Sequence, residues 1–272
     1  MLADKTVLVT GATQGMGRHL ALELAAQGAA LLLHGRDRAR LDKVAAEVRA
    51  AGVPVRTHLA DLADLDQVRA MAASIRSAEP RLDALVNNAA VGGGADPTRR
   101  EVSVQGHELR FAVNALAPYA LIRELEPVLP EAARVVNVAS MGQEAIDLDD
   151  PMMEREYDGL LAYCRSKVAM IMMTFDLAAG LAEQKVTVNA VHPAHLMDTP
   201  GVREFGLTPV TGTDEGVRPT VRLLTDPALE ATTGRYFHQF EERRAHDQAY
   251  DPEARARVAA LMSRACERSR TA

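Results

Sequence analysis

Tyr163 and Lys167 stand four positions apart in the run Tyr163-Cys164-Arg165-Ser166-Lys167, a spacing that puts both side chains on one face of a helix. An ammonium beside a phenol favours the phenolate, so the pair could bring a Tyr of ordinary pKa, about 10, within reach of proton transfer near neutrality. Many helices carry this spacing without any chemistry. Its weight here comes from a glycine loop far upstream, Thr10-Gly11-Ala12-Thr13-Gln14-Gly15-Met16-Gly17, directly after the apolar run Val7-Leu8-Val9.

The elements that must bring these two ends together alternate along the chain. Strands are predicted at Thr6 to Thr10, Ala30 to His34, Val53 to His58, Leu82 to Val86, Arg134 to Val138 and Val186 to Val191, with a weaker one at Gly234 to Phe240. Helical patterns lie at Met16 to Gln27, Arg38 to Ala50, Asp64 to Ser77, Gly106 to Glu126 and Gly159 to Glu183, the last carrying Tyr163 and Lys167. Apolar strands without polar alternation, separated by helices, predict an α/β fold: a Rossmann-type doubly wound parallel sheet of about seven strands with helices on both faces. Asp150-Pro151 and Thr208-Pro209 break insertions locally, and the alternation runs across both, so a single domain over 1–272 is expected. Its cofactor half would span about 1–140 and its catalytic and substrate half about 141–272. A final amphipathic helix is predicted from Asp251-Pro252 to Glu267, with Val258, Leu261 and Met262 inward.

Composition narrows the partners. With 47% hydrophobic and 25% charged residues in 272, the chain reads as an ordinary soluble globular protein. Its net charge of −6 and lack of a basic run argue against nucleic-acid binding. Cys164 and Cys266 have neither metal nor disulfide spacing, which points to a reducing, cytoplasmic setting. The run Met1-Leu2-Ala3-Asp4-Lys5 leads straight into a strand without the apolar segment of a secretory signal. No stretch approaches the ~20 apolar residues of a membrane span.

The glycine loop has the physics of a dinucleotide site. Gly11, Gly15 and Gly17 follow Gly-x3-Gly-x-Gly spacing, in which a tight turn leaves a strand and a helix begins with free N–H groups and its positive dipole end. Thr13, Gln14 and Met16 fill the same loop. At the end of the second strand, His34-Gly35-Arg36-Asp37-Arg38 has Gly35 where a carboxylate would select NAD, and Arg36 can grip a 2′-phosphate. Asp37 can cap the following helix. NADP(H) is therefore preferred and NAD(H) stays open. Asp61, with Leu62 after the third strand, could meet the adenine or could cap the next helix; Asn87-Asn88-Ala89-Ala90 ends the fourth strand, where ligands collect in such sheets.

Thr10-Gly11-x-x-x-Gly15-x-Gly17, Asn87-Asn88-Ala89-Ala90, Asn114, Ser140 and Tyr163-x-x-x-Lys167, in this order, resemble the short-chain dehydrogenase/reductase family over essentially the whole chain. The segments Gly106 to Asn114 and Ala162 to Lys167 look most like its retinol-dehydrogenase-like branch. The resemblance implies a catalytic tetrad of Asn114, Ser140, Tyr163 and Lys167. Tyr163 would exchange a proton with the substrate oxygen while Ser140 holds it. Lys167 would lower the Tyr163 pKa and bind the ribose, and Asn114 would support a water chain to Lys167. It also implies cofactor contacts from Asn88, Ala89 and Ala90 and, after Pro193, from a candidate hydroxyl at Thr199. Homodimers or homotetramers are implied, often through the Asn114 and Tyr163 helices. Ala90 and Ala194 depart from the glycines usual in the family, and their methyls are expected to narrow the pocket or restrict the backbone.

Two segments would wall the substrate: the insertion with Met141, Met152, Met153 and Tyr157, and the loop Ala194 to Pro209 with Leu196, Met197 and Phe205. Thioethers suit irregular apolar ligands, so a small apolar ketone, aldehyde or alcohol is expected. His192 and His195 lack partners at metal-binding spacing, and no metal is implied. The leading reading is an NADP(H)-dependent carbonyl reductase. An NAD-dependent alcohol dehydrogenase and a non-catalytic NADP(H)-sensing regulatory protein are the alternatives.

Overall fold

Val7, Leu8 and Val9 are fully buried because their strand lies inside a sheet covered on both faces. The structure is a computed structural model that describes residues 2–204 and 206–268. In chain order the elements begin β1 (Thr6–Val9), α1 (Gly15–Ala26), β2 (Ala30–Gly35), α2 (Arg38–Arg49), β3 (Val55–Leu59), α3 (Leu65–Ala78) and β4 (Ala84–Asn87). Next come α4 (Leu109–Phe111), a π-helical segment over Ala112–Leu116, α5 (Ala117–Leu125), β5 (Arg134–Val138), α6 (Gly159–Gly180) and β6 (Thr187–His192). The chain continues through α7 (Pro200–Glu204), α8 (Thr213–Thr225), β7 (Tyr236–His238), β8 (Glu241–Glu242) and α9 (Pro252–Arg268).

The sheet order is β3-β2-β1-β4-β5-β6-β7-β8. Every pair is parallel except β7 with β8. Alternate side chains along each strand point to opposite faces, which divides the core in two. Leu8, Leu32, Leu85, Val135 and Val188 pack with α3, α5, α6 and α9, whereas Val7, Val9, Leu31, Leu33 and Val136 pack with α1, α2 and α8. The strand order reverses between β1 and β4, so the loops after these strands diverge and leave a crevice at their carboxyl ends.

The fold class stands as expected, with differences of detail. The sheet has eight strands, because the chain reverses at Gln239, whose φ is +55°, and returns as β8. Helix α8 was absent from the sequence reading because Gly216 and Pro219 interrupt its pattern; both are buried inside the helix. The predicted helix Gly106 to Glu126 begins only at Leu109 and contains the π segment, which carries Asn114. Phe205 lies outside the described residues.

Helix α9 settles over α5 and α6. Val258, Met262 and Ala265 join the core there, Arg255 pairs with Asp176 of α6 and lies 5.8 Å from the Phe175 ring, and Ser263 bonds Tyr119 of α5. Among the described residues no helix is long and apolar enough to cross a membrane.

Candidate active site

The crevice is a cleft of about 570 Å³ running from the glycine loop past Ser140 and Tyr163 to the loop after β6. At its near end the backbone must stay bare. A Cβ on Gly11 would lie 2.8 Å from the Ala89 Cα, and one on Gly17 would strike the Gly11 carbonyl and the Asn88 amide. Asn88 braces this turn by donating from Nδ2 to the Thr10 and Gly11 carbonyls at 2.9 and 3.2 Å. The Thr10 hydroxyl in turn accepts the backbone N–H groups of Asn88 and Ala89. Gln14 precedes α1 without capping it, so the first N–H groups of α1 carry no side-chain partner at the cleft. This cradle fits a pyrophosphate.

The end of β2 shows why residue 35 is glycine: a Cβ there would collide with the Thr13 Cγ2 methyl. Arg36 lines the cleft, and no described residue pairs with it. Asp37 caps α2, accepting from Arg40 N at 3.0 Å, and Arg40 also bonds Gln14. Asp61 and Leu62 line the cleft too. The Asp61 carboxylate accepts from Ala63 N, while Asp64 is the cap of α3.

Deeper in, Ser140, Tyr163 and Lys167 meet on the cleft floor. The Ser140 hydroxyl accepts from Gly142 N at 3.0 Å and bonds the Tyr163 phenol. Lys167 is fully enclosed; its ammonium donates to the Val138 carbonyl at 2.8 Å and lies 5.6 Å from the Tyr163 ring centre. Burial lowers its pKa to about 7. The expected depression of the Tyr163 pKa by Lys167 is not what this geometry gives. Burial raises Tyr163, because withdrawal from water disfavours the phenolate, and the bond from Ser140 pulls the other way. Asn114 sits one layer behind the cleft: Val91 N donates to its side-chain oxygen at 2.8 Å, and its amide donates to the Val91 carbonyl and to Ser166 Oγ at 3.0 and 2.9 Å. Ser166 donates to the Tyr163 carbonyl at 2.6 Å, tying the π segment to the helix that bears the tyrosine.

The far end is apolar. Met141, Leu160, Leu196, Met197, Val202 and Leu207 line it, and the two lips touch where His195 Nδ1 lies 3.1 Å from the Met141 sulfur. Met153 does not belong to this wall. It is buried at 2% exposure with φ +50°, because the insertion folds back on itself through Met153 N to the Asp150 carbonyl. Pro193 and Thr199 both line the cleft; Thr199 lies against the glycine loop, its methyl 3.2 Å from where a Gly15 Cβ would be. Ala90 and Ala194 also line it, and neither has positive φ, so the expected backbone restriction does not arise.

Sequence reasoning passed over Arg110, which is fully buried. It donates to the Gly92 and Gly93 carbonyls at 2.9 Å each and pairs with Glu101 and Glu108, while Tyr157 donates to Glu108 at 3.0 Å. It thereby fastens the loop after β4 to the insertion before α6. Arg110 stands in the segment Gly106 to Asn114, noted for its resemblance to a family branch, but neither its length nor its charge signalled this role. A second, more open groove of about 780 Å³ between α1 and α8 lies away from the strand ends.

Residues 5–208 match the family described as short chain dehydrogenase. Human retinol dehydrogenase 14 is 32% identical over 92% of this chain and 83% of its own length. Among solved structures, a putative uncharacterized protein from Mycobacterium paratuberculosis superposes with a TM-score of 0.81 at 27% identity, covering 98% of this chain and 94% of that one. The landomycin C-6 ketoreductase LanV, with bound NADP and rabelomycin, gives a TM-score of 0.69 at 26% identity, over 88% of this chain and 95% of that one.

Proposed function

The chain belongs to the short chain dehydrogenase family, in its retinol-dehydrogenase-like branch, and on that premise we propose that it is an NADP(H)-dependent reductase of small apolar ketones or aldehydes, working reversibly on the alcohols. It is an oxidoreductase acting on CH–OH and C=O groups; cofactor preference, substrate and residue roles are the proposal. The observation that carries it is the meeting of Ser140, Tyr163 and Lys167 on the floor of a cleft with a bare glycine cradle at one end and thioether and leucine walls at the other.

A nicotinamide cofactor, held by the glycine cradle and by Lys167, would supply or accept the hydride when bound. Residues up to about 140 supply most of the cofactor half, together with Asn114 and Ser140, and those from about 141 supply Tyr163, Lys167 and the substrate walls, with Pro193 and Thr199 reaching back to the cofactor end of the cleft. Ser140, whose oxygen already accepts from Gly142, has its single proton free to donate to the substrate oxygen beside Tyr163. Tyr163, kept protonated by burial, is the acid in reduction and receives the proton back in oxidation. Lys167, with a pKa of about 7, is poised to return that proton at neutral pH, and Asn114 fixes the helix through Ser166. Arg36, at the rim with no pairing found among the described residues, would meet the 2′-phosphate, and any side chain at residue 35, including the acid that would select NAD, would have to displace the Thr13 methyl. LanV with bound NADP, and the name retinol dehydrogenase for the human relative, support an apolar substrate and this cofactor.

The test is titration with NADPH and NADH, followed by nicotinamide absorbance against a panel of apolar ketones and aldehydes. Tight NADPH binding with turnover is expected. Binding of neither nucleotide overturns the reading, and binding without turnover across the panel leaves a substrate outside the panel or the sensor.

A further inference from the structure

The His34 ring, at the carboxyl end of β2, is buried and bonded at both nitrogens. Gly11 N donates to Nδ1 at 3.2 Å, and Nε2 lies 3.1 Å from the Ala60 carbonyl oxygen. A carbonyl only accepts and an amide N–H only donates, so these two contacts together put the proton on Nε2 and leave a lone pair on Nδ1. The His34 carbonyl also accepts from Ala12 N at 2.9 Å. One residue thus joins the chain after β1, β2 and β3, and Gly11, His34 and Ala60 all line the cleft.

We propose that His34 is a positioning residue for the dinucleotide, pinning Gly11 so that the glycine loop is held in its bound shape before the pyrophosphate arrives. The inference rests on reading this cleft as an NADP(H) site. Gly11 turns at φ +65° with Ala89 packed against it. Asn88 takes its carbonyl from one side and His34 takes its N–H from the other. With both polar groups of Gly11 committed, the turn is held at the start of α1, whose first residues, Gly15, Met16 and Gly17, line the cleft without a side-chain cap from Gln14. Preorganisation of this kind removes an ordering cost from binding. Burial, with His58 on the adjacent strand, holds His34 at a pKa of about 4 against the opposing Ala60 bond and Asp61 charge, so the lone pair facing Gly11 persists at neutral pH.

The two ring nitrogens can be tested separately. His34→Asn places an amide oxygen near the Nδ1 position and keeps the Gly11 bond. His34→Gln places an amide nitrogen near Nε2 and keeps only the Ala60 bond; His34→Leu keeps neither. Dissociation constants for NADP+ and NAD+ are measured calorimetrically for each, together with Tm. The expected result is that Leu and Gln weaken both nucleotides alike, by about tenfold, the size of one lost hydrogen bond. Asn stays within about threefold of the unsubstituted chain. The equal loss for both nucleotides separates this effect from Arg36→Ala, which acts on NADP+ alone. Unchanged affinity in His34→Leu overturns the inference, as does an affinity order that simply follows Tm with Asn and Gln alike. If His34→Leu does not fold, the Asn and Gln pair still decides. Failure of the unsubstituted chain to bind either nucleotide overturns the cofactor reading instead, and this inference with it.

Discussion

Lys167 Nζ donates to the Val138 carbonyl oxygen across 2.8 Å, and this is the sole hydrogen bond found for that ammonium among the described residues. A buried Lys with one acceptor gives up its proton easily, and its pKa falls from 10.5 to about 7. Between those values the unfolded chain binds the proton and the folded chain does not, so this group makes stability rise with pH and costs most below about 7. Lys167→Met is therefore expected to be more stable than the unsubstituted protein, with the largest margin near about pH 6 and little margin near about pH 10. Denaturant melts across that range check it; a margin independent of pH would refute the assignment.

Tyr163→Phe keeps the ring and removes the phenol. Turnover should fall by about a hundredfold to ten-thousandfold, the span a positioned proton donor supplies. NADPH affinity should change by less than about twofold, since no hydrogen bond to the glycine cradle is lost. Steady-state rates and a binding titration on the same preparation measure both.

Thr13 and residue 35 are coupled. Gly35→Asp alone should lower Tm, because its Cβ meets the Thr13 methyl. Thr13→Ala removes that methyl, and the double variant should recover Tm and bind NADH better than NADPH. Arg36→Ala, in the original background, should weaken NADPH by roughly tenfold to a hundredfold while leaving NADH nearly untouched. Equal losses for the two nucleotides would move the phosphate contact elsewhere.

Met262 of α9 is fully buried against the α5 and α6 side of the core. Met262→Asp buries an unpaired charge there, so α9 should lift away at a cost of several kcal/mol. The uncovered helices should then associate, seen as a concentration-dependent mass in light scattering. The unsubstituted chain should show no association that Met262→Asp leaves unchanged in kind.

Much of this was legible in the residues. The expected ends of β2 and β5 are matched within one residue, since apolar runs bounded by glycine or polar breaks mark strands on their own. Asp37 announced itself as a cap by type and place. Helix α8 did not, because Pro219 lowers local helix propensity and only burial between the sheet and α1 restores it. The π turn at Asn114 and the reversal at Gln239 lack the residues that usually mark such features.

What the chain's order determined by itself was the fold class and the glycine loop, which depend on local backbone freedom and on periodicity that neighbouring residues set. Ser140, Tyr163 and Lys167 were singled out as a group by the resemblance of ordered motifs to a family. Tertiary structure alone decided that Met153 leaves the substrate wall, that Arg110 straps the loop after β4, that α9 covers α5 and α6, and that His34 grips Gly11. It also decided the sign of the Tyr163 shift, which burial governs more than the nearby lysine. Each of these joins residues far apart in the chain through desolvation or a shared hydrogen bond, and neither is visible until the strands have packed.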